Sequence, residues 1–406
     1  MKIDTMRNVD YYVGIIICFF LTIICKTSRL FSPRREREVK NILFIQLAEM
    51  GSMVLSYSSI KKVKDIYPNA NTFFLTFKKN RYCIKALNII IEKERILTIR
   101  DDSFLNLVSD TLMVLTKLRR LDIDVSFDLE LFSRFSAIIS YLIGASKRVG
   151  FHNYYTEGLY RGDLLTHKVH YNTHQHMVFN FLALVHSIKY PQGEDYLLKE
   201  KISESEIVLP KIEISGRAQK KIWYKLKEIN AEIGLDKKLI VVNPYAGELL
   251  PIRSWPLSCY IELIEKLLQD KKVFIIITGG NDSKNWEDKI IKSVGDDRII
   301  GLAGKTSFND LIDIYHISDV LITNDSGPVH FGSLTSIKTF AFFGPGGLTY
   351  EPLNKNAKVY YANFSCSPCL TDKNHGQTTC KDNKCLKAIT VKEVYRDVSE
   401  YLLKKK

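Results

Sequence analysis

The second half of the sequence contains stretches whose glycines, polar side chains and helix-start residues suit phosphate binding. The fullest is VLITNDSGPVHFGSL (320–334), where a strand pattern ends at Thr323 and Pro328 suits a first helical turn. Backbone N–H groups at the start of a helix attract anions. We therefore predict a phosphate site here, with plain capping of a structural helix as the alternative. The candidate ligands are Asn324, Asp325, Ser326, Gly327 and His330.

A second candidate loop is NPYAGELLPIRSWP (243–256), which follows another strand pattern. Gly247 permits close approach of the backbone to a ligand, and Arg253 has the geometry to bind a diphosphate through two hydrogen bonds. An ordinary surface arginine is the alternative. The position of Arg253 at the carboxyl end of a strand favours a role in binding.

Two glycine-rich turns follow further strand patterns. TGGND (278–282) offers Gly279 and Asn281 for contacts to a sugar or ribose, and FFGPGG (342–347) ends the strand after the phosphate-site helix. Such turns at neighbouring strand ends are where a nucleotide binds in open parallel sheets. The first turn of the chain, AEMGS (48–52), has only one glycine, so we disfavour a nicotinamide-dependent dehydrogenase.

The segment 147–176 is dense in arginine and histidine. One interpretation is a basic loop that binds an anionic acceptor. A metal site built from His170, His174 and His176 is a second, and a polar connection with hydrogen-bonded histidines is a third. We favour acceptor binding or a structural role. The candidate acceptor-binding residues are Arg148, Arg161 and His174.

Four of the eight cysteines cluster near the end of the chain in a C-x2-C-x10-C-x4-C pattern. Two close pairs could hold structural zinc or iron, although the spacing fits the zinc-ribbon template poorly. Four reduced thiols in a folded loop are the alternative, because disulfides are unlikely in a cytoplasmic protein. The four residues are Cys366, Cys369, Cys380 and Cys385.

The elements that must position these residues alternate between short apolar runs and helical patterns. Strand candidates in the second half are 239–242, 273–278, 298–302, 320–323 and 339–343, and those in the first half are 42–47, 72–77 and 96–99. Such alternation predicts an α/β fold of two Rossmann-like, doubly wound domains facing across a cleft. The polar stretch 190–238, with a strand-like IVLP (207–210) and a lysine-rich helical pattern, marks the boundary.

An apolar segment, 11–25, precedes this body and has fifteen residues without a charge. A spanning helix needs about 20 apolar residues, so the segment is short unless Lys26 and Arg29 reach back to the headgroups. Basic residues follow it, which places the body in the cytoplasm. A secretory signal or a buried N-terminal helix is the alternative. The net charge of +13 favours anionic partners, although no interleaved aromatics suggest nucleic acid.

Taken together, the motifs NPYAG…RSWP, TGGNDS, NDSGPVH and FFGP resemble those of the heptosyltransferases, which are family 9 glycosyltransferases of the GT-B fold. The opening NILFIQLAEMGSMVLSYSSIKKVKDIYPNANTFFLT and the tail CSPC…TTC…KCL are similar too. The resemblance implies an inverting, metal-independent transfer of a heptose-like sugar. The donor is a nucleotide-diphosphate sugar such as ADP-heptose, and the acceptor is lipopolysaccharide or another anionic surface glycan.

The resemblance also assigns roles within this sequence. It gives Arg253 the place of the donor site's cationic residue, and residues 325–327 that of the donor-binding helix start. In the first turn, family members usually carry Gly-Asp, whose Asp is the general base, but this sequence has Gly51-Ser52. Serine alone is a poor base at neutral pH, so we take Glu49 as the candidate base beside Ser52. A solvated turn residue is the alternative for Glu49.

The sequence therefore predicts a membrane-associated segment with a basic linker (1–39), an acceptor domain (40–210), a donor domain that holds the cysteine cluster (211–388) and a C-terminal helix (389–406). The expected location is the cytoplasmic face of the inner membrane, and no cofactor is expected to be required for catalysis. The rival functions are a non-catalytic binder of sugar nucleotides or glycans, and a non-hydrolysing sugar-nucleotide epimerase.

Overall fold

The computed structural model describes residues 3–31, 38–48, 50–152, 160–192, 195–196, 198–248, 250–374 and 376–405. The chain divides into two compact units, Met1–Pro210 and Lys211–Lys406, called unit 1 and unit 2 below. Each unit is built on one parallel sheet with helices on its faces.

The sheet of unit 1 has the strand order β3-β2-β1-β4-β5-β6-β7, and all its strand pairs are parallel. The chain moves outward from β1 to β3 and then crosses back to β4, so β1 and β4 flank the switch point. The strands are β1 (Asn41–Ile45), β2 (Asn71–Phe77), β3 (Ile96–Ile99), β4 (Val125–Asp128), β5 (Lys147–Phe151), β6 (His167–Val169) and β7 (Asp195–Tyr196).

Helices of unit 1 cover both faces of that sheet. The helices are α1 (Ile3–Phe31), α2 (Met50–Leu55), α3 (Tyr57–Ile66), α4 (Phe104–Arg120), α5 (Arg134–Leu142) and α6 (Met177–His186). Helices α4 and α5 share one apolar core with β1, β2 and β3, and α3 packs against α6. Ser103 and Ser133 cap α4 and α5, because their side chains accept hydrogen bonds from the N–H groups of the first turn.

The sheet of unit 2 has the strand order β10-β9-β8-β11-β12-β13, again entirely parallel. Its switch point lies between β8 and β11 for the same reason as in unit 1. The strands are β8 (Lys238–Asn243), β9 (Val273–Ile277), β10 (Ile299–Gly301), β11 (Val320–Asn324), β12 (Lys338–Phe343) and β13 (Ala357–Tyr361).

The helices of unit 2 are α7 (Gly216–Ile229), α8 (Leu257–Leu267), α9 (Lys284–Val294), α10 (Phe308–Ile317), α11 (Gly327–Gly332), α12 (Lys384–Lys387) and α13 (Val391–Lys404). The last helix, α13, packs on α8 and begins at Thr390, whose hydroxyl accepts a hydrogen bond from Glu393 N–H. Its buried stripe joins the core that surrounds Trp255. The C-terminal helix is therefore an integral part of unit 2.

The predicted α/β class with two parallel sheets is confirmed. The apolar runs of the second half form β8 to β12, as expected from their β-branched and aromatic content. The IVLP stretch (207–210) is not a strand but irregular chain. Its backbone is held instead by a side chain: Val208 N–H donates to the Ser58 hydroxyl, and Val208 O accepts from it.

The N-terminal apolar segment forms the long helix α1. The part Thr5–Ser28 has 24 residues and contains an 18-residue window with a mean hydropathy of 1.9, so it is long and apolar enough to cross a membrane. A signal sequence has the same properties, so length and composition alone do not decide between them.

Candidate functional site

The loops that follow β8 and β11 meet at the switch point of unit 2, and Asn324 joins them. Its Oδ1 accepts hydrogen bonds from Trp255 N–H (2.8 Å) and from the Tyr260 hydroxyl (3.1 Å). Its Nδ2 donates to Pro244 O at 3.0 Å. The side chain is wholly buried and holds the two loops together, and donor binding stays a prediction for Asn324.

Arg253 stands in the β8 loop, at the end of the short 3-10 turn Pro251–Arg253. Its Nη1 lies 3.7 Å from Asp325 Oδ2, and about a quarter of its side chain is exposed. Its Nε is buried and has no hydrogen-bond partner among the described residues. A guanidinium with one group unused and one edge open to solvent has spare capacity for an anion.

The backbone around Arg253 is held from two sides. Asn383 donates hydrogen bonds from Nδ2 to Ile252 O (2.8 Å) and to Ser254 O (2.9 Å). The Ser254 hydroxyl in turn accepts from Ala246 N–H at 2.9 Å. Gly247 follows with φ +95, a conformation that only glycine adopts readily. The loop is therefore a fixed platform for Arg253.

The turn after β12 packs against the same place. A Cβ added to Gly346 would lie 2.4 Å from Asp325 Oδ2, which shows how closely the two turns approach. Asp325 is nearly buried, and its N–H donates to Phe342 O at 3.0 Å. The NDSGP and FFGPGG turns thus come together, as their positions at neighbouring strand ends predicted.

The helix that opens near Ser326 is α11, and it has only six residues. Ser326 has an extended backbone at its N-cap, but its hydroxyl makes no capping hydrogen bond. Ser326 and Gly327 are half-buried, whereas His330 is buried. Few peptide dipoles align in so short a helix, so the start of α11 by itself attracts an anion only weakly.

Gly279 and Asn281 lie after β9, one strand further from the switch point. Gly279 O accepts a hydrogen bond from Gly304 N–H at 2.9 Å, which joins the loops after β9 and β10. The Asn281 side chain is exposed. Both residues remain predictions for contacts to the donor.

The switch point of unit 1 has a different character. Glu130, which follows β4, accepts hydrogen bonds at Oε1 from Leu47 N–H (2.5 Å) and from Ala48 N–H (3.0 Å). Asn80 donates from Nδ2 to Leu47 O at 2.5 Å. The chain at the end of β1 is thus fixed by two side chains from other loops, a role for Glu130 that the sequence analysis missed.

The two candidate catalytic residues, Glu49 and Ser52, follow the end of β1 in the sequence. Ser52 is buried in α2. Glu49 lies outside the described residues, so its role as general base stays a prediction.

Arg161 forms a wholly buried ion pair with Asp128 at the end of β4. It also donates from Nη2 to the Ser136 hydroxyl (3.0 Å) and from Nη1 to Phe151 O (2.9 Å). Burial raises the pKa of Asp128, and the positive charge of Arg161 opposes that shift. The charge and donors of Arg161 are thus used inside the unit, and acceptor binding stays a prediction for it.

Arg148 is also buried, and acceptor binding stays a prediction for it too. Its guanidinium donates to Leu164 O (2.6 Å) and Ala145 O (2.5 Å) and lies over the ring of Tyr141. His174, in contrast, is exposed on a turn before α6, so acceptor binding stays a prediction for it.

The cysteines of the tail are all reduced. Cys366 and Cys369 lie near Cys385, whose pKa is raised mainly by burial, and Cys380 Sγ contacts Asp382 O at 3.3 Å. Among the described residues, no group of three or more His, Cys, Asp or Glu side chains is arranged to hold a metal ion. As arranged here the four thiols do not fit zinc or iron, and metal binding stays a prediction.

Two Rossmann-like parallel sheets, with Arg253 and the glycine turns at a switch point, define a GT-B type of protein. The solved structure of Escherichia coli ADP-heptose lipopolysaccharide heptosyltransferase II has this fold: it is 20% identical, covers 90% of this chain and 99% of that chain, and gives a TM-score of 0.68. A family 9 glycosyl transferase from Veillonella parvula gives 0.69 at 16% identity, over 92% of this chain and all of that one.

Residues 114–379 match glycosyltransferase family 9 (heptosyltransferase), and the chain belongs to that family. Lipooligosaccharide heptosyltransferase 2 of Campylobacter jejuni is 29% identical over 187 residues, which are 44% of this chain and 57% of that protein. The chain thus spans little more than half the length of the curated relatives it matches. The family match covers the Arg253 site but begins after the first turn, where Glu49 and Ser52 lie.

Proposed function

We propose that this protein is an inverting, metal-independent glycosyltransferase. It moves a heptose-like sugar from a nucleotide-diphosphate donor, such as ADP-heptose, onto a lipopolysaccharide or other surface-glycan acceptor. The observation that carries the proposal is Arg253, a fixed and about one-quarter exposed guanidinium with an unused buried Nε at the switch point of a family 9 sheet.

The donor's diphosphate would bind at Arg253. Guanidinium and phosphate form paired, charge-assisted hydrogen bonds, which strengthen as negative charge develops on the leaving diphosphate. Asp325 holds Arg253 from one side. Its ionised carboxylate accepts hydrogen bonds and donates none, so its partners on the ligand would be hydroxyl or N–H groups. We assign Arg253 to the diphosphate and Asp325 to donor hydroxyls, with Gly247 and residues 326–327 beside them.

The acceptor hydroxyl attacks the anomeric carbon from the face opposite the leaving diphosphate, and this single displacement inverts that centre. The hydroxyl's proton must pass to a base as the new bond forms. We propose Glu49 as that base and Ser52 as its neighbour in the first turn. Because Arg253 offers the positive charge that a divalent ion would supply, the reaction should proceed without added metal.

The acceptor's lipid determines where the protein works. A lipopolysaccharide precursor is anchored in the inner membrane, so we propose that the protein acts at the cytoplasmic face of that membrane. The apolar helix α1 provides the attachment.

Two measurements test the reaction. A thermal-shift panel of nucleotide sugars identifies the donor, since a ligand that binds only the folded state raises its melting temperature. Transfer of radiolabelled sugar to a lipopolysaccharide core acceptor, with and without EDTA, then tests turnover. Binding without transfer to any acceptor would show a non-catalytic binder, and conversion of the donor without an acceptor would show an epimerase.

The base is tested by a matched pair of substitutions. We expect Glu49→Gln to lower kcat by about 10²–10⁴-fold, the range typical for loss of a general base. Glu130→Gln is the control. Glu130 also follows a strand of unit 1, but its Oε1 already accepts hydrogen bonds from two backbone N–H groups. Equal activity of Glu49→Gln and the unsubstituted protein contradicts the assignment.

A further inference from the structure

Helix α1 is fastened along unit 1 by specific contacts. Asp10 accepts hydrogen bonds from Phe135 N–H at Oδ1 (2.8 Å) and from Arg134 N–H at Oδ2 (3.2 Å), so it caps the start of α5. Further along, Thr22 Oγ1 accepts from Asp163 N–H at 2.8 Å. These hydrogen bonds lie near the two ends of the apolar segment 11–25.

The backbones also approach closely between these hydrogen bonds. A Cβ added to Gly14 would lie 2.8 Å from the Cβ of Arg134, and one added to Gly162 would lie 2.8 Å from Cys18 O. Cys18 is wholly buried with Ala137 and Leu164. One face of α1 is therefore packed against unit 1 along most of its length.

The opposite face of α1 is apolar and open. Nine large hydrophobic side chains on it are between 39% and 68% exposed. They are Tyr11, Tyr12, Val13, Ile16, Ile17, Phe19, Phe20, Ile23 and Ile24. Such a contiguous exposed patch marks an interaction surface.

Helix α4 continues this surface. Its residues Phe104, Leu105, Val108, Leu112 and Met113 are between 41% and 79% exposed. Met6 of α1 packs on the same core as Val114 and Leu118 of α4, so both helices lie on one side of the sheet. The nine side chains of α1 and these five of α4 together are called the apolar face. In unit 2, the exposed large hydrophobics are scattered singly.

We propose that the apolar face lies flat on an anionic lipid bilayer, with α1 in the plane of the interface and not across the membrane. Basic side chains border the face: Lys26 follows it on α1, and Lys117, Arg119 and Arg120 end α4, all exposed. Apolar side chains beside basic ones are the pattern of interfacial helices, which bind anionic headgroups. The proposal extends the membrane attachment proposed above and does not depend on the transfer reaction.

A spanning α1 would have to leave unit 1. That would take the carboxylate of Asp10 from the start of α5 and leave the N–H groups of Arg134 and Phe135 without this acceptor. It would also uncover Cys18, Ala137 and Leu164, which are wholly buried now. A span would leave α4 without any part in binding, so α4 distinguishes the two arrangements.

The first test is flotation of the full chain with vesicles of phosphatidylethanolamine and phosphatidylglycerol. We expect the triple variant Leu105→Ser, Leu112→Ser and Met113→Ser to partition at least about tenfold more weakly, because three exposed side chains no longer enter the lipid. The matched control is Tyr224→Ser, Leu235→Ser and Leu403→Ser, which removes equally exposed side chains from unit 2. Unchanged binding by the α4 variant overturns the proposal.

The second test locates the N-terminus with an epitope tag on the full chain in spheroplasts. An in-plane α1 keeps the tag on the same side as the body, so added protease leaves both intact. Digestion of the tag alone would show that α1 spans the membrane and would overturn the proposal. The proposal would also be overturned if light scattering showed a dimer and the protein did not bind vesicles. The α4 variant should transfer sugar to a water-soluble acceptor fragment at the same rate as the unsubstituted protein. Failure of the membrane proposal is therefore distinct from failure of the transferase assignment.

Discussion

The switch points of the two sheets have opposite arrangements of charge. In unit 1, the charges near β4 are matched from within: Asp128 pairs with Arg161, and Glu130 takes two backbone N–H groups at the end of β1. In unit 2, Arg253 faces Asp325 at 3.7 Å and keeps an unused Nε and an exposed edge. In unit 1 these charged groups are thus paired inside the unit, whereas in unit 2 the guanidinium keeps a hydrogen-bond donor that is not used.

This difference separates structural charges from binding charges. A buried charge whose partners are all internal contributes to the integrity of the unit, and its loss is felt as instability. A charge with unused donors contributes little to folding and is available to a ligand. Substitutions of these arginines should therefore differ in effect: loss of Arg161 should lower stability, and loss of Arg253 should lower activity.

The largest effect on stability is expected from Arg161→Met. It leaves the buried carboxylate of Asp128 without its cation, which should lower the free energy of unfolding by about 3–5 kcal/mol. Urea unfolding followed by circular dichroism measures this. The double variant Asp128→Asn and Arg161→Met should recover part of the loss, since no unpaired charge remains.

The matched control for that experiment is Arg81→Met, because Arg81 is exposed in the same unit. It should change the unfolding free energy little, as surface charges do. If Arg161→Met unfolds at the same urea concentration as the control, then the buried ion pair does not stabilise unit 1, and the proposed difference between the two switch points is wrong.

The next effect is on catalysis, from Arg253→Ala. Loss of the guanidinium should lower kcat/KM for transfer by about 10²–10³-fold, the size of a lost electrostatic contact in the transition state. Arg253→Lys should keep part of the activity, because lysine supplies the charge without the paired donors. A radiolabel transfer assay with the donor found by thermal shift measures both.

Stability supplies the control here. The melting temperature of Arg253→Ala without ligand should match that of Arg217→Ala, an exposed arginine on α7. A large drop in the melting temperature of the Arg253 variant alone would mean that Arg253 is a structural charge like Arg161.

Much of the fold follows from local sequence patterns. The runs that form β8, β9, β11 and β12 are apolar on both faces, as strands buried between helix layers must be. β4 went unrecognised because its four residues VSFD end in an aspartate. Inside the unit the charge of that residue is matched by Arg161, which lies far along the chain. Such a pairing has no local signal.

The same limit explains why the internal partners of several candidate site residues were not predicted. Arg148 and Arg161 stand in a segment rich in arginine and histidine, which favours an exposed basic loop until their partners are known. Asn324 stands in a run of capping residues, and its contacts with Trp255 and Pro244 come from a loop that is distant in sequence. The position of Arg253 after a strand could be predicted because the strand pattern and the residue type are both local.

A smaller loss of stability is expected in unit 2 from Asn324→Ala. The change leaves Trp255 N–H and the Tyr260 hydroxyl without their acceptor in a buried place, which should cost about 2 kcal/mol. Urea unfolding measures the loss, with Asn281→Ala, an exposed asparagine, as the control. Reduced donor affinity at full stability would instead make Asn324 a ligand-binding residue.

The smallest effect tests whether internally matched charges of unit 1 also set its acid sensitivity. Hydrogen bonds from Arg100 lower the pKa of Asp110 to about 2. The ionised carboxylate therefore stabilises the fold above its unfolded pKa of about 3.9, and this contribution is lost as the pH falls toward 2. Because Arg100 is 38% exposed, solvent screens the pair, and we expect Asp110→Asn to cost only about 1 kcal/mol at pH 7. Urea unfolding at pH 7 and near pH 2 measures the cost, which should vanish at the lower pH. A cost that is equal at both values would assign the effect to packing and not to the charge.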